Sequence, residues 1–319
     1  RYNKMRTTFI DKMIFEHSHN GRIHGQMHPL RSDDGGTVTG RFSYSTPNLQ
    51  QVPARDPELG PLIRGLFIPE EGCLWGAFDY SQQEPRLSVH YASLTNQPGA
   101  ENAVVQYRDE NADFHQIVAD MANIPRKQAK DINLALSYGM GKKKLIYTLG
   151  ISDSEAEDLI AKYHQRVPFV KALADSCMRN AGNRGHVTTL LGRKCRFNLF
   201  EPRGERTIPL PYAEASEKWG EENIARSYTY KALNRLIQGS AADMTKKAML
   251  DLYKEGYIPH VQVHDELDIS VETKQQAKEI KEIMENCVQL EVPNIVDAEL
   301  GTTWGNATTS YKEAFDERD

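Results

Sequence analysis

Hydrophobic and polar positions change rhythm several times along this chain. From Asn20 to Pro69 apolar residues never run long, and Gly, Pro, Ser and Thr are frequent. Asp33-Asp34-Gly35-Gly36 and Ser45-Thr46-Pro47-Asn48 read there as turns between short strands. The apolar run Cys73-Leu74-Trp75-Gly76-Ala77-Phe78 then leads directly into Asp79, which predicts a buried strand with a carboxylate at its end. From about residue 100 to 185 the pattern is helical. Pro125 suits a first helical turn, and the stretch from Arg126 to Tyr138 meets no Gly or Pro until Gly139 and Gly141. Ser152 and Glu155 have capping-box spacing, and Pro168 predicts a kink. After His186, a Thr- and Leu-rich segment, Gly192-Arg193 and a basic segment predict a hairpin.

A helix is expected from Glu221 to Glu255, with Gly239 as its main interruption. In the following segment Val261, Val263, Leu267, Ile269 and Val271 alternate as strand residues do, and the pattern assigns all five to one side of a hairpin. His264-Asp265-Glu266 breaks that alternation and puts acid at the tip. A helix from about Lys274 to Gln289 and a strand from about Val296 to Leu300 complete the pattern. The fold class is α+β with an inserted helical lobe, without internal repeats.

Composition narrows this only a little. With 319 residues, 39% hydrophobic and 26% charged, the chain can form one large domain or two sharing a core, which excludes disordered and fibrous classes. No apolar run approaches the roughly 18 residues needed to span a bilayer. The 4 cysteines, Cys73, Cys177, Cys195 and Cys287, are scattered without a C-x-x-C pair and read as reduced thiols. The chain starts at Arg1 in mid-pattern, with neither Met nor a signal peptide, so a longer polypeptide is expected. A net charge of −5 does not by itself predict a nucleic-acid binder. Basic residues nevertheless gather at Arg126, Lys127 and Lys130, at Lys142 to Lys144, and at Arg193, Lys194 and Arg196. Such clusters are more often solvated faces than binding surfaces.

Two strand-end carboxylates, Asp79 and Asp265, are the first candidates for chemistry, because hard cations such as Mg²⁺ take oxygen ligands. Taken alone, each is an ordinary strand-end acid. Arg126, Lys130 and Leu134 fall on one slowly drifting helical stripe that presents cation, cation, apolar group.

The motifs around these residues identify the resemblance. Asp79-Tyr80-Ser81-Gln82-Gln83-Glu84-Pro85-Arg86 resembles motif A of family A DNA polymerases. Arg126-x-x-x-Lys130, ending at Tyr138-Gly139, resembles motif B, and His264-Asp265-Glu266 resembles motif C, all in the family's order. Thr39-Gly40-Arg41, Pro47-Asn48-Leu49-Gln50 and Gln238-Gly239-Ser240-Ala241-Ala242-Asp243 extend the match over nearly the whole chain. The resemblance implies a right-hand polymerase fold with an antiparallel-sheet palm, inserted helical fingers and a thumb largely absent. Residues 1–20 would be the remnant where thumb passes into palm, 21–99 the first part of the palm, 100–220 the fingers and 221–319 the second part of the palm.

It also implies template-directed synthesis from dNTPs on primer-template DNA. Two Mg²⁺ ions, with Mn²⁺ as a substitute, would be held by Asp79, Asp265 and the backbone carbonyl of Tyr80. Glu266 stays open between metal-site support and a solvated turn residue. Arg126, Lys130 and His115 would grip the triphosphate, with Lys130 protonating the leaving pyrophosphate. Tyr80 and Gln82 belong to the same nucleotide site. Glu84 would exclude a 2′-hydroxyl, and Tyr138 would be a stacking platform near the templating base. Arg41, Asn48, Asn234, Gln238 and His264 would contact DNA, donors in the minor groove checking pair shape without reading sequence.

The chain also departs from the family pattern. Leu134 stands where the family has Phe or Tyr, which puts dideoxynucleotide discrimination in doubt, and Gln83 and Pro85 replace an aliphatic pair. Tyr230 stands where bacterial relatives carry Arg. The short His115 to Arg126 separation is more like phage replicative enzymes, which implies a viral origin and action in the host cytoplasm. No proofreading-exonuclease motif precedes the core, so an attached or associated exonuclease, helicase or processivity factor stays open. Two rivals remain: a single-subunit RNA polymerase, against which Glu84 argues, and a non-catalytic DNA-binding module, against which Asp79, Lys130 and Asp265 argue.

Overall fold

The computed structural model describes residues 2–32, 35–54, 56–108, 113, 115–116, 119, 125–126, 129–130 and 142–315. Leu134, Tyr138 and the Asp33-Asp34 turn lie outside the described residues. The chain divides into two compact units. One comprises residues 1–83, 241–289 and 294–319, the other residues 84–240 and 290–293.

The first unit is built on a five-stranded sheet. Its strands are β1 (Leu74–Tyr80), β2 (Val261–Val263), β3 (Glu266–Val271), β4 (Val296–Gly301) and β5 (Thr309–Ser310), arranged β2-β3-β1-β4-β5. Every pairing is antiparallel. β1 is central and buried at every residue except Asp79. Being covered on both faces, it reads in sequence as a continuous apolar run and not as an alternation.

The hairpin residues do not all lie on one side, contrary to the expectation from sequence. Val263 pairs with Glu266 and Val261 with Asp268, and cross-strand partners share a face. Val261 and Val263 therefore join Trp75 and Ala77 in a core with Met13, Tyr44, Leu49, Ile63 and Trp304. Leu267, Ile269 and Val271 point to the opposite face. The two-residue turn shifts the alternation by one position, which the sequence pattern does not reveal. On that opposite face helix Lys274–Asn286 packs against β3 and β4 and buries Ala277, Ile280 and Met284. The Tyr80 hydroxyl donates to the Met284 carbonyl at 2.8 Å. Before the sheet, Tyr2–Met5 is α-helical and Arg6–Phe15 is wound as a π-helix.

The second unit opens with helix Gln83–Leu94, in whose first turn Pro85 sacrifices no helical hydrogen bond. Arg86 is 1% exposed there, donating to the carbonyls of Tyr107 at 3.3 Å and Pro293 at 3.0 Å. The capping box forms as predicted: Ser152 Oγ accepts from Glu155 N, and Glu155 Oε2 accepts from Ser152 N at 2.8 Å. Pro168 does not kink a continuous helix. Helix Asp153–Arg166 ends, Val167 adopts φ −129° and ψ 64°, and Pro168 occupies the first turn of a second helix, Pro168–Arg184, where its missing N–H costs nothing.

The expected hairpin after His186 is present, with Val187 opposite Cys195. The stretch from Glu221, expected to be helical, instead contains a short strand, Ile224–Arg226, in a three-stranded sheet with Leu199–Pro202 and Leu210–Pro211. The helix begins only at Ala232 and runs unbroken through Gly239 to Lys254. Tyr228, left-handed at φ 59°, prevents an earlier start. None of the four cysteines forms a disulfide. The chain passes between the two units at 83/84 and 240/241, and again at 289/290 and 293/294. Tyr91 of helix Gln83–Leu94 and Ser240 of helix Ala232–Lys254, both within the second unit, share a 2.7 Å hydroxyl bond.

Candidate active site

β2 and β3 are joined by the two-residue turn His264-Asp265, with His264 at φ 58°. A positive φ at the first central residue matches the right-handed twist of the strands. Gln262, 2% exposed, holds this turn from beneath, its Nε2 donating to the His264 carbonyl at 2.6 Å. Its Oε1 accepts from Gln50 Nε2 at 3.1 Å. Asn48 Oδ1 accepts in turn from the Gln50 backbone N–H at 3.1 Å. Asn48 is thus half-buried and already engaged as a cap, while Arg41 is half-buried, with its carbonyl accepting from Thr37 Oγ1 at 2.9 Å.

The backbone segments that carry the two predicted acids meet at one end of the sheet. Tyr80 N–H points to the Asp265 carbonyl at 3.4 Å, so the residue after Asp79 is tied to the residue at the hairpin tip. Asp79 is exposed and Asp265 half-buried. In register Asp79 faces Glu266 on one side and Asp297 on the other. Like charges directly opposite one another destabilise a sheet, a repulsion that a cation bound there would relieve. Exposed carboxylate oxygens suit Mg²⁺, which keeps several waters and needs few protein ligands. Among the described residues no group of three or more potential ligands closes into a metal cage. A cation here would therefore complete its shell from water and substrate.

Glu266 is turned elsewhere. Trp304 Nε1 donates to its Oε1 at 3.3 Å. Burial raises its pKa, opposed by the Arg64 guanidinium and the Trp304 hydrogen bond. A carboxyl held that way is a poor third ligand. Tyr80 is 2% exposed as a whole residue, and its hydroxyl is taken by the Met284 carbonyl, so its side chain turns away from the two acids. Gln82 is left-handed at φ 53° in the turn that follows.

The remaining predicted residues belong to the second unit. Glu84 lies in the first turn of helix Gln83–Leu94, where a negative charge is favoured by the helix dipole. Arg126 and Lys130 are both exposed. Arg126 Nε is ion-paired with Asp113. Burial pushes the Asp113 carboxyl up, but Arg126 and the backbone N–H groups of Gln116 and His115 outweigh it and leave the pKa below its usual value. His115 is 4% exposed, so the predicted phosphate contact would require its side chain to emerge. Asn234 and Gln238 are half-buried and one helical turn apart on helix Ala232–Lys254.

Sequence reasoning missed the supporting residues. Gln262 was visible as the polar residue in Val261-Gln262-Val263, and Asp268 as an acid inside an apolar strand. Asp113 and Trp304 gave no comparable signal, because each is brought to its partner by the fold.

The sequence profile of DNA polymerase family A matches residues 1–306. The chain is 39% identical over 356 aligned positions to a DNA-directed DNA polymerase of Pseudomonas phage M6, covering 96% of this chain and 50% of that protein. It is 35% identical over 319 positions to the thermostable DNA polymerase I of Thermus filiformis, covering 95% of this chain and 35% of that one. Among solved structures, the POL domain of Pol1 from M. smegmatis, in complex with DNA primer-template and dNTP, matches with a TM-score of 0.75 and 29% identity, over 96% of this chain and 52% of that chain. The chain thus spans about half the length of the phage relative.

Proposed function

Because the chain belongs to DNA polymerase family A, we propose that it carries out template-directed DNA synthesis, joining dNTPs to a primer 3′-hydroxyl with release of pyrophosphate. The observation that carries this reading is the Asp79 and Asp265 pair, tied through the Tyr80 N–H to Asp265 carbonyl contact. Two Mg²⁺ ions bound by these carboxylates and the Tyr80 carbonyl, with Mn²⁺ as a substitute, would activate the hydroxyl and neutralise the leaving group.

The chain's own residues do the rest. Arg126 and Lys130 orient the triphosphate, Lys130 gives a proton to the departing pyrophosphate, and His115 adds a phosphate contact once its buried ring turns outward. Glu84 occupies the space a 2′-hydroxyl would need. Gln82 supports the nucleotide site. Leu134 and Tyr138 take the sugar-packing and base-stacking positions of the family pattern. Arg41, Asn48, Asn234, Gln238 and His264 hold the primer-template, positioning more than reading it. In this reading the five-stranded sheet is the palm and the helical second unit the fingers. The phage relatives support a viral origin, with DNA replication in the host cytoplasm as the setting. No described helix is long and apolar enough to cross a membrane.

Metal-dependent primer extension by the wild-type chain and by Asp265→Asn tests the proposal. The substitution should lower the rate at least about a thousandfold, since metal-borne charge stabilisation is worth several kcal/mol. Extension persisting in the variant, or rNTPs incorporated as readily as dNTPs, would overturn it.

A further inference from the structure

The segment leading into helix Ala232–Lys254 carries an aromatic and cationic group that the proposed reaction leaves unused. Tyr228 and Tyr230 lie with ring centroids 6.4 Å apart and planes at 60°. The Lys231 ammonium stands 4.7 Å from the first ring centroid and 5.6 Å from the second. Tyr230 is 62% exposed, so its ring supports no core.

The backbone is arranged to hold it there. Tyr228 is left-handed at φ 59° and ψ 14°, a conformation that costs a bulky residue on the order of 1–3 kcal/mol and persists only where neighbours impose it. Ser227, 2% exposed, is anchored through its N–H to the Leu199 carbonyl at 2.8 Å, and Lys231 N–H closes the turn on the Tyr228 carbonyl at 2.9 Å. One turn beyond Lys231, Arg235 is held by the Arg196 carbonyl at 2.7 Å and lies 4.2 Å from the Phe197 ring centroid. Lys231 is itself exposed, so a cation stands beside the exposed ring.

Spacing relates this group to the residues already assigned to DNA. Tyr230 lies in the short 3-10 turn Thr229–Lys231 that leads into helix Ala232–Lys254, four residues ahead of Asn234, which is one helical turn ahead of Gln238. Asn234 and Gln238 offer amide donors, suited to the edges of paired bases. Tyr230 offers a ring face, and in a duplex each base face is already covered by its neighbours. An exposed ring with a cation beside it therefore suits an unpaired base and its phosphate.

We propose that Tyr230, buttressed by Tyr228 and Lys231, is a stacking site for an unpaired nucleotide of the single-stranded template. The assignment rests on the reading of the chain as a DNA polymerase. Fluorescence anisotropy with a labelled primer-template bearing a 5′ overhang, and with a blunt duplex of equal duplex length, tests it on the full chain. Tyr230→Ala should weaken binding to the overhang substrate about tenfold and leave blunt-duplex binding unchanged, while Tyr230→Phe, which keeps the ring, should match wild type. Lys231→Gln should lower the salt dependence of overhang binding by about one unit of slope. Unchanged overhang binding by Tyr230→Ala, equal losses on both substrates, or a Tyr230→Phe loss as large as that of Tyr230→Ala would overturn the proposal. Primer extension by the wild-type chain separates the two readings. Its absence removes the polymerase assignment, whereas extension combined with a failed Tyr230 result removes only the stacking site.

Discussion

Trp75 donates its indole N–H to Asp268 at 2.8 Å inside the sheet, where the carboxyl is 0% exposed. Asp268 and Glu266 lie two residues apart on one face of β3, so their carboxyls crowd each other beneath the hairpin tip. The Trp75 and Trp304 rings stack at 5.7 Å, and the Arg64 guanidinium lies 4.2 Å from the Trp304 centroid. Burial, reinforced by Glu266, raises the Asp268 pKa well above its ordinary value despite the Trp75 hydrogen bond and Arg64.

A raised carboxyl pKa has a definite sign for stability. Above the unfolded pKa and below the folded one, the native state binds more protons than the unfolded state, so stability is fully present at low pH and is lost as pH rises through the folded pKa. Urea unfolding of the wild-type chain should show that decline from acidic toward neutral pH, bounded by about 1.4 kcal/mol per pH unit for one proton. Asp268→Asn, which keeps the size and an acceptor for Trp75, should flatten it. An unaltered slope in the variant would show that Asp268 is not the group responsible.

Asp79 should be a residue whose loss harms catalysis and spares the fold. It faces Glu266 and Asp297 in register, so Asp79→Asn removes like-charge repulsion and buries nothing new. Extension should fall by at least about a thousandfold, while the melting temperature stays level or rises. A melting temperature several degrees lower would mean that Asp79 supports the sheet itself.

Arg126 must exchange partners if it is to hold a triphosphate, because Asp113 already pairs with it. Exposed ion pairs are worth roughly 0–1 kcal/mol. Asp113→Asn should therefore lower the apparent KM for dNTPs by up to about fivefold with little change in kcat. A raised KM would instead assign Asp113 to positioning Arg126 for its ligand.

The elements that carry the two acids were legible because they are local. The strand ending near Asp79 and the acid-tipped hairpin each depend on neighbours within a few residues. The facing of Leu267, Ile269 and Val271 was misjudged because a two-residue turn resets the alternation, and only the pairing of Val263 with Glu266 reveals it. Pro168 was read as a kink because chain patterning does not distinguish a bent helix from a new one. The late start of helix Ala232–Lys254 was hidden because Tyr228 has an ordinary side chain and an unusual φ of 59°. Asp113, Trp304 and Arg64 act across long sequence separations, and no periodicity records such partners.

The hairpin tip itself makes the most discriminating prediction. Gln262 uses both ends of its amide, donating to the His264 carbonyl at 2.6 Å and accepting from Gln50 at 3.1 Å. Glu keeps the acceptor and loses the donor, whereas Met keeps the volume and loses both. Either change leaves a buried polar group unmatched, costing about 1–3 kcal/mol of stability. If the amide only supports the fold, activity at temperatures well below the melt should survive. If it sets the placement of Asp265, a shift near 1 Å at the tip should cost about a hundredfold in kcat. Gln262→Glu and Gln262→Met are expected to show the second pattern, with KM for dNTPs little altered because the triphosphate contacts lie on other elements. Steady-state extension kinetics beside urea unfolding would decide it: kcat within about twofold of wild type, at the expected loss of stability, would reduce Gln262 to a structural residue.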